Sequence, residues 1–333
     1  NTYKITYNSN GGSTVTAKDY NVTSSTITLA STTRAGYTFN GWKVTTVTAS
    51  TVYKASGSFA AVNDIITQVY TGSYGNITVT AQWTANTNTA YKVEHYQQNV
   101  TGSDYTLKDT DNKTGTTDTT ATAVAKTYTG FTENTTHASR VASGNIAGNG
   151  SLILKLYYDR NEYTVTFDKN ATDATGTMNI QTLKYGVAQN LTANTFARKG
   201  YTFASWNTSS TGVGTNYANQ ASYTIGAGNV TLYVKWNANP LTFNGGALSP
   251  NAIYNTAYTS SAFTAASNGT DAYTYMIVSG APSGVTLNSG TRIFSGTTTS
   301  NVGTYNISVR ATDTNSGATA EATFTLKVVA KAM

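Results

Sequence analysis

A repeated stretch of sequence limits most strongly what this chain can fold into. Residues 34–42 read Arg-Ala-Gly-Tyr-Thr-Phe-Asn-Gly-Trp, and residues 198–206 read Arg-Lys-Gly-Tyr-Thr-Phe-Ala-Ser-Trp. In both copies Tyr and Phe alternate with Thr, which predicts a strand with the two rings on one face. The Trp follows the Phe after two residues, and this odd spacing places it on the opposite face unless a bulge intervenes. The Trp is therefore either an outer-face packing residue or the sign of a kink.

The repetition extends well beyond this stretch. Residues 3–7, Tyr-Lys-Ile-Thr-Tyr, correspond to residues 163–167, Tyr-Thr-Val-Thr-Phe, and both alternate as half-buried strands do. Residues 75–83 correspond to residues 228–236 without a gap. Because the motifs keep their order, the two copies are predicted to share one strand order. The first copy is longer between its Trp and residue 75, so we expect an added loop or hairpin there.

The same set of motifs resembles a known family. The Tyr-x-Val-x-Phe-like first strand, a Gly-rich turn, the Gly-Tyr-Thr-Phe-x-x-Trp strand and a closing strand that ends in Trp are similar to the Listeria-Bacteroides repeat, the B-repeat of internalin-type bacterial surface proteins. The resemblance covers residues 1–86 and 161–238. It implies small ubiquitin-like β-grasp modules that are used in tandem on a cell surface.

The segment between the two copies resembles a different family. Residues 91–96 read Tyr-Lys-Val-Glu-His-Tyr, and residues 154–160 read Leu-Lys-Leu-Tyr-Tyr-Asp-Arg. These opening and closing motifs are similar to those of mucin-binding-protein-like modules, which often accompany B-repeats. The resemblance implies a further surface module over residues 87–160.

The last part of the chain changes character after residue 238. Alternating strands separated by turns at short intervals predict a β-sandwich. Residues 282–287 read Pro-Ser-Gly-Val-Thr-Leu, and residues 295–297 read Ser-Gly-Thr. This pattern resembles an Ig-like family of bacterial surface proteins that is related to cadherin-like modules, with Val285 where a Leu is usual.

Composition supports a mainly β chain of several domains. A chain of 333 residues is too long for one ordinary core, and its abundant Thr, Asn, Ser, Gly and Tyr favour strands and turns over helices. We predict tandem small β-grasp-like modules followed by an Ig-like β-sandwich, in an elongated arrangement. The predicted domains are residues 1–86, 87–160, 161–238 and 239–333. Their connectors are short, and the one at residues 159–162 is expected to be the stiffest.

Charge and hydropathy argue against two classes of partner. The net charge of +6 is spread thinly, without the clustered basic stripe that nucleic-acid binding requires. No apolar run approaches the roughly 20 residues that cross a bilayer, so we expect no direct membrane insertion of this segment. The chain starts at Asn1 without a signal segment, and we interpret it as a mature or excised piece whose anchor, if it has one, lies outside it.

No catalytic, cofactor-binding or metal-binding residues are predicted. The chain has no Cys and therefore no thiolate metal site, and it has no Gly-x-Ser-x-Gly elbow. His95 is interpreted as packed or at an interface, because nothing near it or His137 suggests a triad. Residues 109–111 begin like a calcium loop, but Thr120 stands where a Glu ligand is needed. Asp313 stays a candidate for a cadherin-like calcium site.

Two chemical hypotheses concern other side chains. The resemblance to Gram-positive stalk proteins implies an internal Lys–Asn isopeptide bond as one option, which needs a buried, neutral Lys next to a protonated carboxyl group; the sequence identifies no such triad. The 24 Tyr residues mostly alternate with Thr. We interpret them as core residues or cross-strand pairs more than as a platform for sugars.

The sequence thus predicts a non-enzymatic extracellular stalk or adhesive segment of a bacterial cell-surface repeat protein, cell-wall attached or secreted. Its expected partners are host or environmental glycans or glycoproteins, or neighbouring modules of the same protein, and its ligand-binding residues are unknown. Two alternatives stay open. One is a carbohydrate-binding accessory region of a secreted enzyme, and the other is a subunit of an extracellular filament assembled through edge strands.

Overall fold

A computed structural model describes residues 1–332. These residues form strands, turns and loops without a helix, which confirms the predicted mainly β class. Accordingly, none of the described residues belongs to a helix long and apolar enough to cross a membrane. The chain divides into two compact units, Asn1–Asn161 and Glu162–Met333.

The first unit begins with a mixed sheet. Its strands, with two short flanking pairs, β3 with β8 and β5 with β6, are β1 Tyr3–Asn8, β2 Lys18–Tyr20, β3 Ile27–Thr28, β4 Tyr37–Val47, β5 Tyr53–Ala55, β6 Ser58–Phe59, β7 Ile65–Ile66, β8 Gln68–Val69 and β9 Ile77–Ala85. The sheet order is β2-β1-β9-β4-β7, and β1 and β9 are parallel neighbours. Because parallel strands run in one direction, the chain enters β1 at one end of the sheet and leaves β9 at the other.

The second part of this unit repeats that topology with a different sequence. Its strands are β10 Thr89–Gln98, β11 Tyr105–Gly115, β12 Thr120–Thr122, β13 Phe131–Glu133, β14 Ser143–Asn145 and β15 Ile153–Arg160. The sheet order is β11-β10-β15-β13, again with the opening strand β10 parallel to the closing strand β15. β12 and β14 form a separate antiparallel pair. This order matches β2-β1-β9-β4 strand for strand.

The second unit opens with the second copy of the repeat. Its strands are β16 Glu162–Asp168, β17 Gln181–Lys184, β18 Ala188–Asn190, β19 Tyr201–Asn207, β20 Asn216–Tyr217, β21 Ser222–Thr224 and β22 Val230–Ala238. The sheet order is β17-β16-β22-β19-β20, with β16 parallel to β22. The two copies therefore share one strand order, as predicted.

The chain ends in a β-sandwich. Its strands are β23 Gly246–Ala247, β24 Ala252–Ile253, β25 Ala257–Thr259, β26 Tyr273–Ser279, β27 Val285–Asn288, β28 Ile293–Thr297, β29 Gly303–Asp313 and β30 Thr319–Val329. One sheet has the order β23-β30-β29-β26 with β24 also on β30, and the other has the order β25-β28-β27. Phe294 of the second sheet and Phe324 of the first belong to one buried cluster, so the two sheets enclose a common core.

The repeated Trp residues mark a kink. The register of β4 against β9 shifts between Phe39 and Trp42, and that of β19 against β22 shifts after Phe203. Each bulge turns its Trp to the core face, where Trp42 and Trp206 are 1% and 0% exposed. Each Trp then packs edge-on against the Phe of its own motif, with ring centroids 5.3 and 5.1 Å apart.

The extra length of the first copy forms an added hairpin. β5 and β6 pair with each other outside the five-stranded sheet. The Tyr53 and Phe59 rings stack across this hairpin at 4.3 Å. The insertion therefore leaves the shared sheet unchanged, as the sequence comparison predicts.

The two repeat Trp residues differ in one hydrogen bond. Trp42 Nε1 donates to the Ala30 carbonyl oxygen at 2.9 Å. Trp206 Nε1 is buried and has no hydrogen-bond partner among the described residues. A buried N–H without an acceptor costs free energy, so the second copy carries a penalty that the first does not.

We expect Trp→Phe substitutions at these positions to have unequal effects. Both variants lose ring contacts, but Trp42→Phe also leaves the Ala30 carbonyl oxygen without its donor, which should cost about 1 kcal/mol more than Trp206→Phe. Hydrogen exchange of the Val79 and Val234 amides, in the central closing strands, reports the stability of each sheet. Equal losses of protection in the two variants would contradict this account.

Candidate functional sites at the module ends

His95 on β10 is a buried residue and the first candidate site along the chain. Its Nδ1 lies 2.9 Å from the Tyr158 hydroxyl, which in turn accepts the Lys126 main-chain N–H at 2.9 Å. Nε2 faces the Asp111 carboxylate, which favours the neutral tautomer with its proton on Nε2 and the Tyr158 hydroxyl as donor to Nδ1. Nε2 lies 3.6 Å from Asp111 Oδ2, too far for a hydrogen bond. His95 is 0% exposed, so a substrate has no access to its ring.

The charged groups around His95 pair with one another. Lys126 Nζ lies 2.7 Å from Asp111 Oδ1 and 3.9 Å from Asp109 Oδ2, and the Tyr128 hydroxyl donates to Asp109 at 2.6 Å. Burial, followed by the Lys126 charge, lowers the pKa of His95. The hydrogen bond between Lys126 and Asp111 lowers the pKa of the carboxyl group and raises the pKa of the ammonium group. The result is a neutral imidazole beside a closed ion pair, without a free nucleophile.

Acid is expected to destabilise the sheet that contains His95. Because the pKa of His95 is lowered in the folded chain, the unfolded chain binds a proton more readily, and stability falls as the pH drops below about 6.5. His95→Gln keeps an acceptor for the Tyr158 hydroxyl but removes this proton uptake. Hydrogen exchange of the β10 amides, corrected for intrinsic rates, should show a larger loss of stability between pH 7 and pH 5 in the native chain. The same loss in both chains would refute the assignment.

Asp313, the candidate calcium ligand, is a buried loop anchor. Its Oδ1 accepts the Thr270 hydroxyl at 2.6 Å and the Asn315 N–H at 3.0 Å. It also accepts the Ser316 N–H, while Oδ2 accepts the Thr270 N–H. Burial raises the pKa of Asp313, but these hydrogen bonds outweigh it and the pKa is lowered overall. Both oxygens are engaged by protein donors, so the geometry does not support the calcium hypothesis.

Neither a metal centre nor an isopeptide site is evident among residues 1–332. No group of three or more His, Asp or Glu side chains there could hold a metal ion. No lysine of this part of the chain is buried. Lys126, which lies next to two carboxylates, has a raised pKa, whereas an isopeptide bond needs a lysine amine whose pKa is lowered.

His137 and several Tyr residues pack on one another. The His137 ring stacks on Tyr157 with centroids 3.8 Å apart, and Tyr96 stacks on Tyr157 at 5.0 Å. Tyr105 meets both His137 and Tyr157 edge-on, at 4.7 and 5.3 Å. The ring faces of this cluster serve packing within the module, in line with the interpretation from the sequence.

The repeated Gly-Tyr-Thr stretch has a second role at the end of the first module. Asn86 follows the closing strand β9, and its N–H donates to the Gly36 carbonyl oxygen at 2.9 Å. The Thr38 hydroxyl donates to the Asn86 side-chain oxygen at 2.7 Å. The Arg34 guanidinium group lies 3.8 Å from the centre of the Tyr37 ring. We name the set of Gly36, Tyr37, Thr38 and Asn86 an end clamp.

The second repeat builds the same end clamp. The Asn239 N–H donates to the Gly200 carbonyl oxygen at 2.9 Å, and the Thr202 hydroxyl donates to the Asn239 side-chain oxygen at 2.5 Å. Arg198 lies 3.8 Å from the centre of the Tyr201 ring. Gly36 and Gly200 have φ angles of 77° and 74°, which favour glycine. The two copies thus agree in both conformation and contacts.

Each end clamp contacts the segment that follows its module. In the first unit, the Thr117 hydroxyl donates to the Gly36 carbonyl oxygen at 2.8 Å, and the Thr117 N–H donates to the Asn86 carbonyl oxygen at 2.9 Å. The Tyr37 hydroxyl donates to Asp118. Asn86 is therefore held on both sides, by the module before it and by the module after it.

The corresponding contacts in the second unit reach the sandwich. The Tyr201 hydroxyl donates to the Asn315 carbonyl oxygen at 3.2 Å, and Lys199 pairs with Asp271. Both partners lie in loops next to Thr270, which Asp313 holds in place. The buried carboxylate therefore orders the surface that this end clamp meets.

Sequence reasoning missed the end clamps and treated the repeated stretch as a core strand. One signal was present: Asn86 and Asn239 each stand three residues after the closing Trp of their copy, Trp83 and Trp236. Those Trp residues fix the end of the closing strand, because their Nε1 atoms donate to the carbonyl oxygens of Ser9 and Lys169 respectively.

The structure thus contains three mixed β-sheets, each with an Asn after its closing strand, and a β-sandwich. Residues 3–67 and 163–235 match the family model of the Listeria-Bacteroides repeat domain, and residues 239–329 match the model described as "Putative Ig domain". These segments are therefore two copies of that repeat and one Ig-like domain, which confirms both resemblances. The resemblance of residues 87–160 to mucin-binding-protein-like modules stays a prediction.

Similarity to whole proteins is partial. A "Putative Gly-rich membrane protein" of Evansella cellulosilytica is 31% identical over 102 residues, which is 30% of this chain and 12% of that protein. Drosophila N-cadherin EC1-3 aligns at 11% identity over 63% of this chain and 92% of its own, with a TM-score of 0.23. A SusE-like surface-located polysaccharide-binding protein of Bacteroides thetaiotaomicron aligns at 10% identity over 99% and 54%, with a TM-score of 0.21. Both of these structures are only remotely similar to this chain.

Proposed function

We propose that this segment is a non-enzymatic extracellular spacer of a bacterial cell-surface repeat protein, cell-wall attached or secreted, which holds a binding region away from its anchor. The observation that carries the proposal is the parallel pairing of opening and closing strands, β1 with β9, β10 with β15 and β16 with β22. Each sheet takes the chain in at one end and releases it at the other. Modules of this kind add length when they are joined in series.

The division into four modules is part of this proposal. Four separate clusters of buried apolar side chains support it, and each lies within one of the ranges 1–86, 87–160, 161–238 and 239–333. A module with its own core can be stacked without losing its fold. The short connectors and the end clamps favour a stack with restricted movement at the first and last of the three junctions.

The two buried side chains His95 and Asp313 also favour a structural role for the chain. Both of these side chains have hydrogen-bond partners within their own modules. Two repeats and an Ig-like domain, families found in bacterial surface proteins, fit an extracellular location. The expected partners are neighbouring modules of the same protein, and glycans or glycoproteins at a binding region.

Small-angle X-ray scattering of the full chain tests the spacer. A compact domain of 333 residues would have a radius of gyration of about 20 Å. Modules joined in series should give a clearly larger value and a skewed distance distribution with a long tail. A radius of gyration near that of a compact domain would reject the proposal.

One observation favours the carbohydrate-binding alternative. A groove of about 480 Å³ lies beside the added hairpin of the first copy, between Tyr53 and Tyr70. Its other lining residues are all small and uncharged: Thr26, Ala55, Ser56, Gly57, Thr71 and Gly72. Aromatic rings and hydroxyl groups without charge suit a neutral saccharide. The second copy lacks the hairpin that forms one wall.

A glycan array probed with the full chain tests this second candidate. If the groove binds a saccharide, the double variant Tyr53→Ala and Tyr70→Ala should weaken binding by about tenfold or more, since each ring provides stacking area. Tyr254→Ala serves as the matched control because Tyr254 is exposed and lies outside the groove. Silence across neutral glycans, or an equal effect of the control, would eliminate the candidate.

A further inference from the structure

The middle module carries a third copy of the end clamp. The Asn161 N–H donates to the Gly130 carbonyl oxygen at 2.9 Å, and the Thr132 hydroxyl donates to the Asn161 side-chain oxygen at 2.7 Å. Gly130 has a φ of 78°, close to those of Gly36 and Gly200. The donors, acceptors and order along the chain are the same as in the two repeats.

The third copy differs in sequence but has the same place in the topology. Phe131 stands where the repeats have Tyr37 and Tyr201, and each of these rings opens the strand that pairs antiparallel with the closing strand. An Arg lies near the ring here too, with Arg160 at 4.9 Å from Phe131. All three sheets with this strand order therefore have the Gly-aromatic-Thr turn and an Asn directly after the closing strand.

The surfaces that receive the two repeat end clamps belong to different folds. The first end clamp meets a turn at Thr117 and Asp118 beside the mixed sheet of the middle module. The second meets the Gly269–Thr270 and Asn315 loops of the β-sandwich. Both receiving turns nevertheless contain a Thr-Asp pair, Thr117-Asp118 and Thr270-Asp271, whose Asp has a positive φ of 63° and 70° respectively. Recognition therefore depends on this local turn and not on the fold around it.

The two junctions also share a close contact between main chains. A Cβ on Gly36 would lie 2.4 Å from Gly148 Cα, and a Cβ on Gly200 would lie 2.7 Å from the carbonyl carbon of Gly269. In both cases a glycine of the end clamp faces a glycine of the receiving module. The aromatic hydroxyl then donates to an oxygen beside it, a carboxylate in one junction and a carbonyl in the other.

We propose that the end clamp is a portable coupling, that is, an element that docks against the next β module of the same chain whatever the fold of that module. It fixes any such module that presents a glycine turn and an oxygen acceptor. Recognition uses main-chain shape and one hydroxyl donor, so it tolerates a change of the receiving fold. The inference rests on the spacer proposal, because a coupling of this kind is useful where modules are joined in series.

Paired glycine substitutions in the full chain test the coupling. Gly36→Ala adds a methyl group against Gly148 and Thr117, whereas Gly57→Ala adds one at a φ of 71° with no atom within 4 Å. The two variants therefore share the backbone strain and differ in the junction clash. Hydrogen exchange of the Asn86 and Thr117 amides should accelerate about tenfold or more in Gly36→Ala and stay near native in Gly57→Ala. Equal rates in the two variants would overturn the coupling.

The second junction allows the same comparison. Gly200→Ala clashes with Gly269 and Thr270, and Gly212→Ala, at a φ of 77°, again has no atom within 4 Å. The reporter is the Asn239 amide, which donates to Gly200. The coupling predicts faster exchange in Gly200→Ala alone. Faster exchange of the Asn86 amide in Gly36→Ala, without faster exchange of the Asn239 amide in Gly200→Ala, would show that the coupling is specific to one partner and not portable.

A substitution on the receiving side separates the junction from the folding of the repeat. A Cβ on Gly148 would lie 2.1 Å from the Ala35 carbonyl oxygen, and its three nearest neighbours all belong to the preceding module. Gly148→Ala should therefore accelerate exchange at Asn86 while the Val79 amide in the core keeps its protection. Unchanged exchange at Asn86 would refute the coupling. An extended scattering profile together with that result would leave the spacer proposal standing, whereas a compact profile with intact coupling would reject the spacer alone.

Discussion

The parallel pairing between the first and last strands of each mixed sheet is the constraint on which the rest depends. In the first copy it runs from Ile5 opposite Ile77 to Asn8 opposite Thr80, and the other two mixed sheets repeat it. A parallel pair needs a long crossover between its strands, and here strands, turns and loops fill that connection in place of a helix. The closing strand then ends beside the antiparallel strand that begins with the Gly-aromatic-Thr turn, which brings the end clamp together.

The end clamps illustrate how a chain with few charges can fix its joints. Charged residues make up 11% of the sequence, and charged groups are added at the junctions only at Asp118 and in the pair of Lys199 with Asp271. The contacts at Asn86 and Asn239 use amides, hydroxyls and main-chain groups. Such bonds are short-ranged and are not screened by salt in the way that surface ion pairs are. Close approach of two main chains requires glycine, and the structure places one on each side of both junctions that it describes within a unit.

The sequence predicted more of the fold than of the end clamps. Alternation and the shared order of motifs predicted the strands, and the odd spacing of Trp42 and Trp206 left a kink as one of two options, because these features depend on neighbours along the chain. The end clamps join residues far apart in sequence, such as Gly36 and Asn86, and form only when the strand register is known. The third copy was still less visible, since Phe131 replaces Tyr and the closing strand β15 ends without a Trp.

The strand arrangement at the centre of each sheet also determines how a module responds to tension. Because the chain leaves a parallel pair from opposite ends, a pull on both ends slides β1 along β9 and stretches all the hydrogen bonds between them at the same time. An antiparallel pair pulled from one end would instead open bond by bond. If the chain tethers a cell in flowing liquid, the force acts along these parallel strands, which is the direction in which their hydrogen bonds resist separation together.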